Sequence, residues 1–317
     1  MAESLPVAEP ATPVTFLPNL FILGAMKCGT STLHAYLDRL PDVCMSVPKE
    51  PYFFEAEWDE GNPSYRRRYF AHWQGEPWIG EARHRNLYLP YVPARVHAFN
   101  PEAKLIAILR DPVERAFSHW YHKRWHQAER LSFWDGLQAD LRRIEEGKTY
   151  TSPAEISAHR RLFLDQGRGG DGPYRTYLDT GYYDQQLARY QQLFPASSLK
   201  VLLFEDFVRE PEKTMDELVA FLGLDPQRNR FVEPIRENGS QPPEPPGWAR
   251  TLWHGSGVRR ILPTSLRHRL FNLGYARMRQ LAKPRMRQRE QRWLSDHYRP
   301  HNRRLADRLQ RDLSHWI

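Results

Sequence analysis

Residues 21–37 read FILGAMKCGTSTLHAYL. An apolar run ends at Gly24, Lys27, Gly29, Thr30 and Ser31 follow, and a helical pattern then begins. The stretch is a strand, a tight loop and a helix start. Backbone N–H groups of residues 28–31 then stand where unpaired donors and the helix dipole favour an anion. Gly29 lets the backbone approach a ligand, Lys27 adds charge, and Thr30 and Ser31 add hydroxyls. The order is not that of the nucleotide-hydrolase loop G-x-x-x-x-G-K-[ST], in which the lysine follows the second glycine. Here Lys27 precedes Gly29 by two. The ordinary alternative is a strand-to-helix turn with a surface lysine.

Working outward, AKLIAILR (103–110) and SLKVLLFED (198–206) read as further buried strands, WIGEA (78–82) as a short strand, and PDVCMSV (41–47) as a short extended segment. Helical patterns lie between them: PSYRRRYFAHW, YVPARVHAFN, PVERAFSHWYHKRWHQ with proline in its first turn, LSFWDGLQADLRRIEEG, YYDQQLARYQQLF and EKTMDELVAFLGL. Residues 148–180, Gly-rich and polar, read as a mobile excursion. Residues 225–250 read as a proline-rich loop. From Arg285 a basic helical pair is expected, broken at YRPHN. Strands alternating with helices predict an α/β fold: a three-layer, doubly wound parallel sheet with a phosphate-loop (P-loop-like) nucleotide site. Such a sheet binds ligands beyond the carboxyl ends of its strands, where Lys27, Glu50, Arg110 and Glu205 all fall.

The 317 residues are 40% apolar, enough for a core, and 46 Lys+Arg against 38 Asp+Glu give a net charge of +8. That balance favours anionic ligands. No run reaches the roughly 18 apolar residues of a membrane span. MAESLPVAEPATPVT lacks the basic start and apolar run of a signal peptide. The expected organisation is a disordered tail at 1–17 and a single domain at 18–317 with a C-terminal helical extension. Two cysteines, Cys28 and Cys44, argue against a disulfide framework and fit a reducing, cytoplasmic setting.

Two further constellations carry chemistry. In LIAILRDPVERAFSHWYHKR, Arg110 ends a strand and Ser118 lies eight residues on, in the following helix. An arginine fork and a hydroxyl suit a phosphate; the alternative is a strand-end arginine paired with Asp111 or Glu114. In VPKEPYFF, Glu50 stands among Pro48, Pro51 and three aromatic rings. Partial desolvation there predicts a raised pKa, as suits a base. The alternative is a Lys49–Glu50 pair in a turn.

Together these motifs resemble the sulfotransferases that use 3′-phosphoadenosine 5′-phosphosulfate (PAPS), in particular the heparan and carbohydrate branch and its bacterial relatives. GAMKCGTS resembles the family's 5′-phosphosulfate loop, LRDPVERAFSHW its 3′-phosphate motif and KEPYFF its K-E-x-x-F-F segment. Similarity continues through residues 181–224 and in the ending YRPHNRRLADRLQRDLSHW. The resemblance implies that Lys27, Cys28, Gly29, Thr30 and Ser31 hold the 5′-phosphosulfate, and that Arg110 and Ser118 hold the 3′-phosphate. It places Glu50 at the catalytic base and His122 near the sulfate. It implies a basic loop over the nucleotide around Arg236, Asn238 and Ser240. The family often reads G-E-x-[ST]-P-x-Y after the base segment. This chain has GEARHRNLY, so Arg83, His84 and Arg85 replace a small neutral turn, a change that favours an acidic acceptor.

The implied reaction is in-line sulfuryl transfer to a hydroxyl of a carbohydrate, lipid or small metabolite, with Lys27 stabilising the leaving group and Glu50 as base. No metal is expected, because the transferred group carries a single negative charge. The rivals are a phosphate-loop nucleotide kinase or hydrolase, against which the missing G-K-[ST] order counts, and a nucleic-acid-binding protein that uses the Arg-rich tail, against which regular amphipathic spacing counts.

Overall fold

The computed structural model describes residues 16–126, 128–165, 174–230 and 284–316. Residues 1–15 of the tail expected at 1–17, and the loop residues Arg236, Asn238 and Ser240, lie outside them. Five strands form one sheet: β1 (Leu20–Gly24), β2 (Val43–Met45), β3 (Trp78–Ala82), β4 (Lys104–Leu109) and β5 (Leu199–Leu203). All pairings are parallel, in the order β2-β3-β1-β4-β5. Every residue of β1 and five of six in β4 are buried. Both sheet faces are therefore covered, as expected of continuous apolar strands.

The order positions the site. β1 is central, and the chain leaves it for β2 and β3 on one side before crossing to β4 and β5 on the other. The strand order thus reverses at β1, and the crevice beyond its carboxyl end is the switch point where such sheets bind ligands.

Helices α1 (Thr30–Leu37), α2 (Gly61–Tyr69), α3 (His84–Tyr88) and α4 (Val92–Phe99) connect the first four strands, with a π-helical turn at Phe53–Glu57. α5 (Pro112–Trp125) follows β4; Asp111 caps it by accepting from Val113 N at 2.9 Å. α6 (Phe133–Glu145), α7 (Pro153–Asp165) and α8 (Tyr183–Gln191) lead to β5. α9 (Phe204–Arg209), α10 (Pro211–Phe221) and α11 (Gln288–Leu309) complete the described elements. The main core runs along the sheet. A second apolar cluster joins Phe117 and Trp120 of α5 to Phe133 and Leu137 of α6 and to Leu294 and Tyr298 of α11.

Two expectations fail. Part of the excursion at 148–180 is regular: α7 forms, and its buried His159 donates or accepts at 2.7 Å with Glu55. The break expected at YRPHN is absent, and α11 runs through Pro300. Pro300 faces solvent, so the carbonyl it deprives of a partner is open to water. The Tyr298 hydroxyl donates to Leu178 O at 2.9 Å, and His301 and Arg304 bond Asp184 at 2.8 and 2.6 Å. Those contacts hold the turns on both sides of the proline in one axis.

Candidate active site

The loop leaving β1 turns on two left-handed residues, Lys27 at φ 67° and Gly29 at φ 90°. Gly29 is the N-cap of α1, and no side chain caps the helix. A helix start of this kind favours an anion. Glycine is needed at 29 for its φ and also for space: a Cβ would lie 3.1 Å from Phe204 Cδ2. Thr30 is buried at the helix start, and Lys27 and Ser31 are partly exposed. Cys28 serves differently. Its thiol is buried near Met26 O (3.5 Å) and the Tyr183 hydroxyl (3.8 Å), and its N–H donates to Ala25 O at 3.3 Å. Burial pushes the thiol up to about 11, so it stays protonated.

Arg110 follows β4 on the adjacent strand end. Its guanidinium carbon lies 5.1 Å from the centroid of Phe204, the ring that packs on Gly29. It pairs with Glu114 only loosely, at 3.4 Å, and Asp111 instead caps α5. Glu205, also at this edge, accepts from Asp111 N at 3.2 Å. Ser118 is half-buried on α5. His122 lies one turn further, with its ring 4.5 Å from that of His126. Arg115, inside the same motif, is fully buried and donates to Tyr177 O.

Glu50 sits beyond β2 at the same sheet edge. Lys49 Nζ lies 2.9 Å from Glu50 Oε1 and 3.5 Å from Thr30 Oγ1. Glu50 Oε2 accepts from Arg83 Nη1 at 2.6 Å and bonds His84 Nδ1 at 2.8 Å. The expected rise in its pKa is overturned. Burial pushes it up, but His84, Lys49 and Arg83 outweigh burial and hold the carboxyl well below the usual range.

The Arg-His-Arg segment also differs from expectation. Arg83 and Arg85 are buried and turned inward rather than displayed to an acidic acceptor. Arg83 Nε donates to Glu55 Oε2 at 2.7 Å, its Nη2 bonds the same oxygen, and Arg85 Nη1 lies 3.4 Å from Glu55 Oε1. Arg83 also stacks over Tyr52 at 4.6 Å. Glu55 is the residue that sequence reasoning missed. Its signal is a carboxylate inside the aromatic run YFFEAEW, which a buried segment tolerates only with a cationic partner. Among the described residues no group of three or more His, Cys, Asp or Glu side chains is arranged to hold a metal ion. Nor is any described helix long and apolar enough to cross a membrane.

Residues 17–241 match the family model described as a sulfotransferase domain, and the chain belongs to that family of sulfuryl-transferring enzymes. Bifunctional heparan sulfate N-deacetylase/N-sulfotransferase 4 of Mus musculus is 24% identical over 314 residues, covering 95% of this chain and 31% of that protein. Heparan sulfate glucosamine 3-O-sulfotransferase 6 of Mus musculus is 28% identical over 223 residues, covering 70% and 57%. This chain therefore spans less than two thirds of either relative. A crystal structure of a sulfotransferase from Alicyclobacillus acidocaldarius aligns with a TM-score of 0.65 at 27% identity, over 95% of this chain and 99% of that one. The fold is α/β with a phosphate-loop-like nucleotide site.

Proposed function

We propose that this chain transfers a sulfuryl group from PAPS to a hydroxyl acceptor. One observation carries the reading: Lys49 bridges Thr30 of the anion loop and the Glu50 carboxylate. A donor loop and a base site are thereby tied together by one cation at a single sheet edge. The loop of Lys27, Gly29, Thr30 and Ser31 receives the 5′-phosphosulfate, with Cys28 shaping its floor, and Arg110 and Ser118 receive the 3′-phosphate. The acceptor oxygen attacks sulfur in line as the bond to the bridging oxygen breaks. Lys27 neutralises the charge that grows on that oxygen. Glu50 supplies the negative charge of the base site, and His122 is the competing base.

The acceptor follows from the relatives only as a class. Both named relatives act on heparan sulfate, so a glucosamine-bearing oligosaccharide is the first acceptor to try, with lipid and small-metabolite hydroxyls next. The test is a screen of these classes with isotope-labelled PAPS, reading sulfated product by mass. Sulfation of one class with release of the 3′,5′-bisphosphate is expected. Phosphorylated product from ATP and magnesium, with none from PAPS, would overturn the reading in favour of a kinase.

A further inference from the structure

We infer that Glu50 and His84 form a carboxylate–imidazole dyad in which His84 Nε2, not the Glu50 carboxylate itself, receives the proton of the acceptor hydroxyl. The inference rests on the sulfuryl-transfer reading of this site and names the atom that does the work.

The argument starts from donors and acceptors. Glu50 is ionised, because Lys49, Arg83 and His84 all crowd its two oxygens. An ionised carboxylate only accepts, so the 2.8 Å contact to His84 Nδ1 requires the hydrogen on Nδ1. In a neutral ring the lone pair then belongs to Nε2. Nε2 has no hydrogen-bond partner among the described residues, and the side chain keeps 15% of its surface.

Position follows from the backbone. His84 opens α3 just past β3, and its carbonyl oxygen is 2.9 Å from where a Gly24 Cβ would stand. The imidazole therefore belongs to a residue packed on Gly24, the last residue of β1 before the donor loop. Arg83 N, one residue earlier, donates to Ile22 O of β1 at 3.2 Å. The dyad is thus fixed to the central strand.

Electrostatics favour this division of labour. Glu50, held well below its usual range by three cationic or donor neighbours, is a poor base at neutral pH. His84 is pulled down from 6.5 by burial, opposed by Glu50 and reinforced by Arg83 and Arg85. It is neutral near pH 7 and can accept. The groups facing it are Glu50 with its Lys49, the flanking Arg83 and Arg85, and His119 of α5, with which it interacts electrostatically. In the step, the acceptor O–H bond breaks as the O–S bond forms, the proton goes to Nε2, and the bond from sulfur to the bridging oxygen takes its electron pair to the leaving bisphosphate. Glu50 stabilises the imidazolium, which later yields its proton to solvent.

The test has a spectroscopic and a kinetic arm. The full chain with ¹⁵N-labelled histidine is titrated by NMR with the 3′,5′-bisphosphate bound, and His84→Gln assigns the signal. A neutral Nδ1–H tautomer at pH 7 that Glu50→Gln shifts is expected; the opposite tautomer overturns the dyad. On the acceptor class found by the PAPS screen, His84→Gln and Glu50→Gln are each expected to lose about 10²–10⁴-fold in kcat. The double variant should lose no more than the worse single one, and bisphosphate affinity should hold. The acid limb of kcat/KM should fall below 6.5. Near-full kcat in His84→Gln with loss in Glu50→Gln makes Glu50 the direct base and ends the proposal. Loss of bisphosphate affinity in His84→Gln also ends it, by making the residue part of the donor site. Absence of any PAPS turnover in the wild type defeats the sulfuryl-transfer reading instead, and the tautomer result stands apart from it.

Discussion

The Arg110 guanidinium rests over the Phe204 ring at 5.1 Å, and the same ring fills the space beside Gly29. One aromatic side chain, from the first residue of α9, therefore touches both the loop after β1 and the arginine after β4. It packs between two chain segments whose strands already lie side by side in the β1–β4 pairing. A ligand with phosphates at both ends of a ribose needs the spacing of those two segments held.

Phe204→Ala is expected to weaken binding of the 3′,5′-bisphosphate about 3- to 30-fold. That range is the cation–π contribution of roughly 0.5–2 kcal/mol plus lost support for the loop. Gly29→Ala should lose more, because the new Cβ meets the ring and because φ 90° strains any side chain. Combining Gly29→Ala with Phe204→Ala removes the clash but not the strain, so affinity should recover only in part. Calorimetry on the three variants checks this; full recovery in the double variant would show that the ring contact alone demands glycine.

Much of this arrangement is legible in the sequence. The apolar runs LFILG and KLIAIL are strands because a doubly covered parallel sheet asks for nothing else. The loop between β1 and α1 is visible because Lys27, Gly29, Thr30 and Ser31 are local to one another. What fails depends on distant partners. Glu50 reads as a desolvated carboxyl because Arg83 and His84 lie 33 and 34 residues away. α7 is hidden by its polar composition, and its His159 meets a partner 104 residues away in Glu55. Pro300 reads as a break because its neighbours' contacts to Leu178 and Asp184 cannot be inferred from spacing.

Lys27→Ala is expected to lower kcat more than Arg110→Ala does, while Arg110→Ala raises KM for PAPS. In the proposed mechanism Lys27 acts on charge that appears only in the transition state. In the same mechanism Arg110 would contact a phosphate remote from the breaking bond, so its binding energy would be nearly uniform along the reaction. Steady-state kinetics with varied PAPS separates the two. An unchanged kcat for Lys27→Ala would remove that residue from the chemistry.

Turnover of PAPS is expected to survive EDTA. The transferred group is singly charged, and the loop lacks the lysine–serine order that holds magnesium in nucleotide hydrolases. Initial rates with and without chelator decide it. A loss that magnesium restores would favour the kinase alternative.

Glu55 is expected to be the stability keystone beneath the site. Its carboxylate meets Arg83, Arg85 and His159, and its side chain is fully buried. Burial opposes its ionisation, but Arg83, Arg85 and His159 overcome that and hold its pKa far below the ordinary value. Removing one member of a buried charge network leaves the others uncompensated, so Glu55→Gln should cost about 3–5 kcal/mol at pH 7. The sign with pH follows from the depressed folded value. The contribution is complete above the unfolded carboxyl's pKa of about 4.3 and is lost as pH falls below it toward the folded pKa. Urea midpoints of the wild type should therefore fall more steeply than those of Glu55→Gln between pH 5 and pH 3, and the two should converge at the acid end. Parallel curves would mean that Glu55 is not ionised in the folded chain.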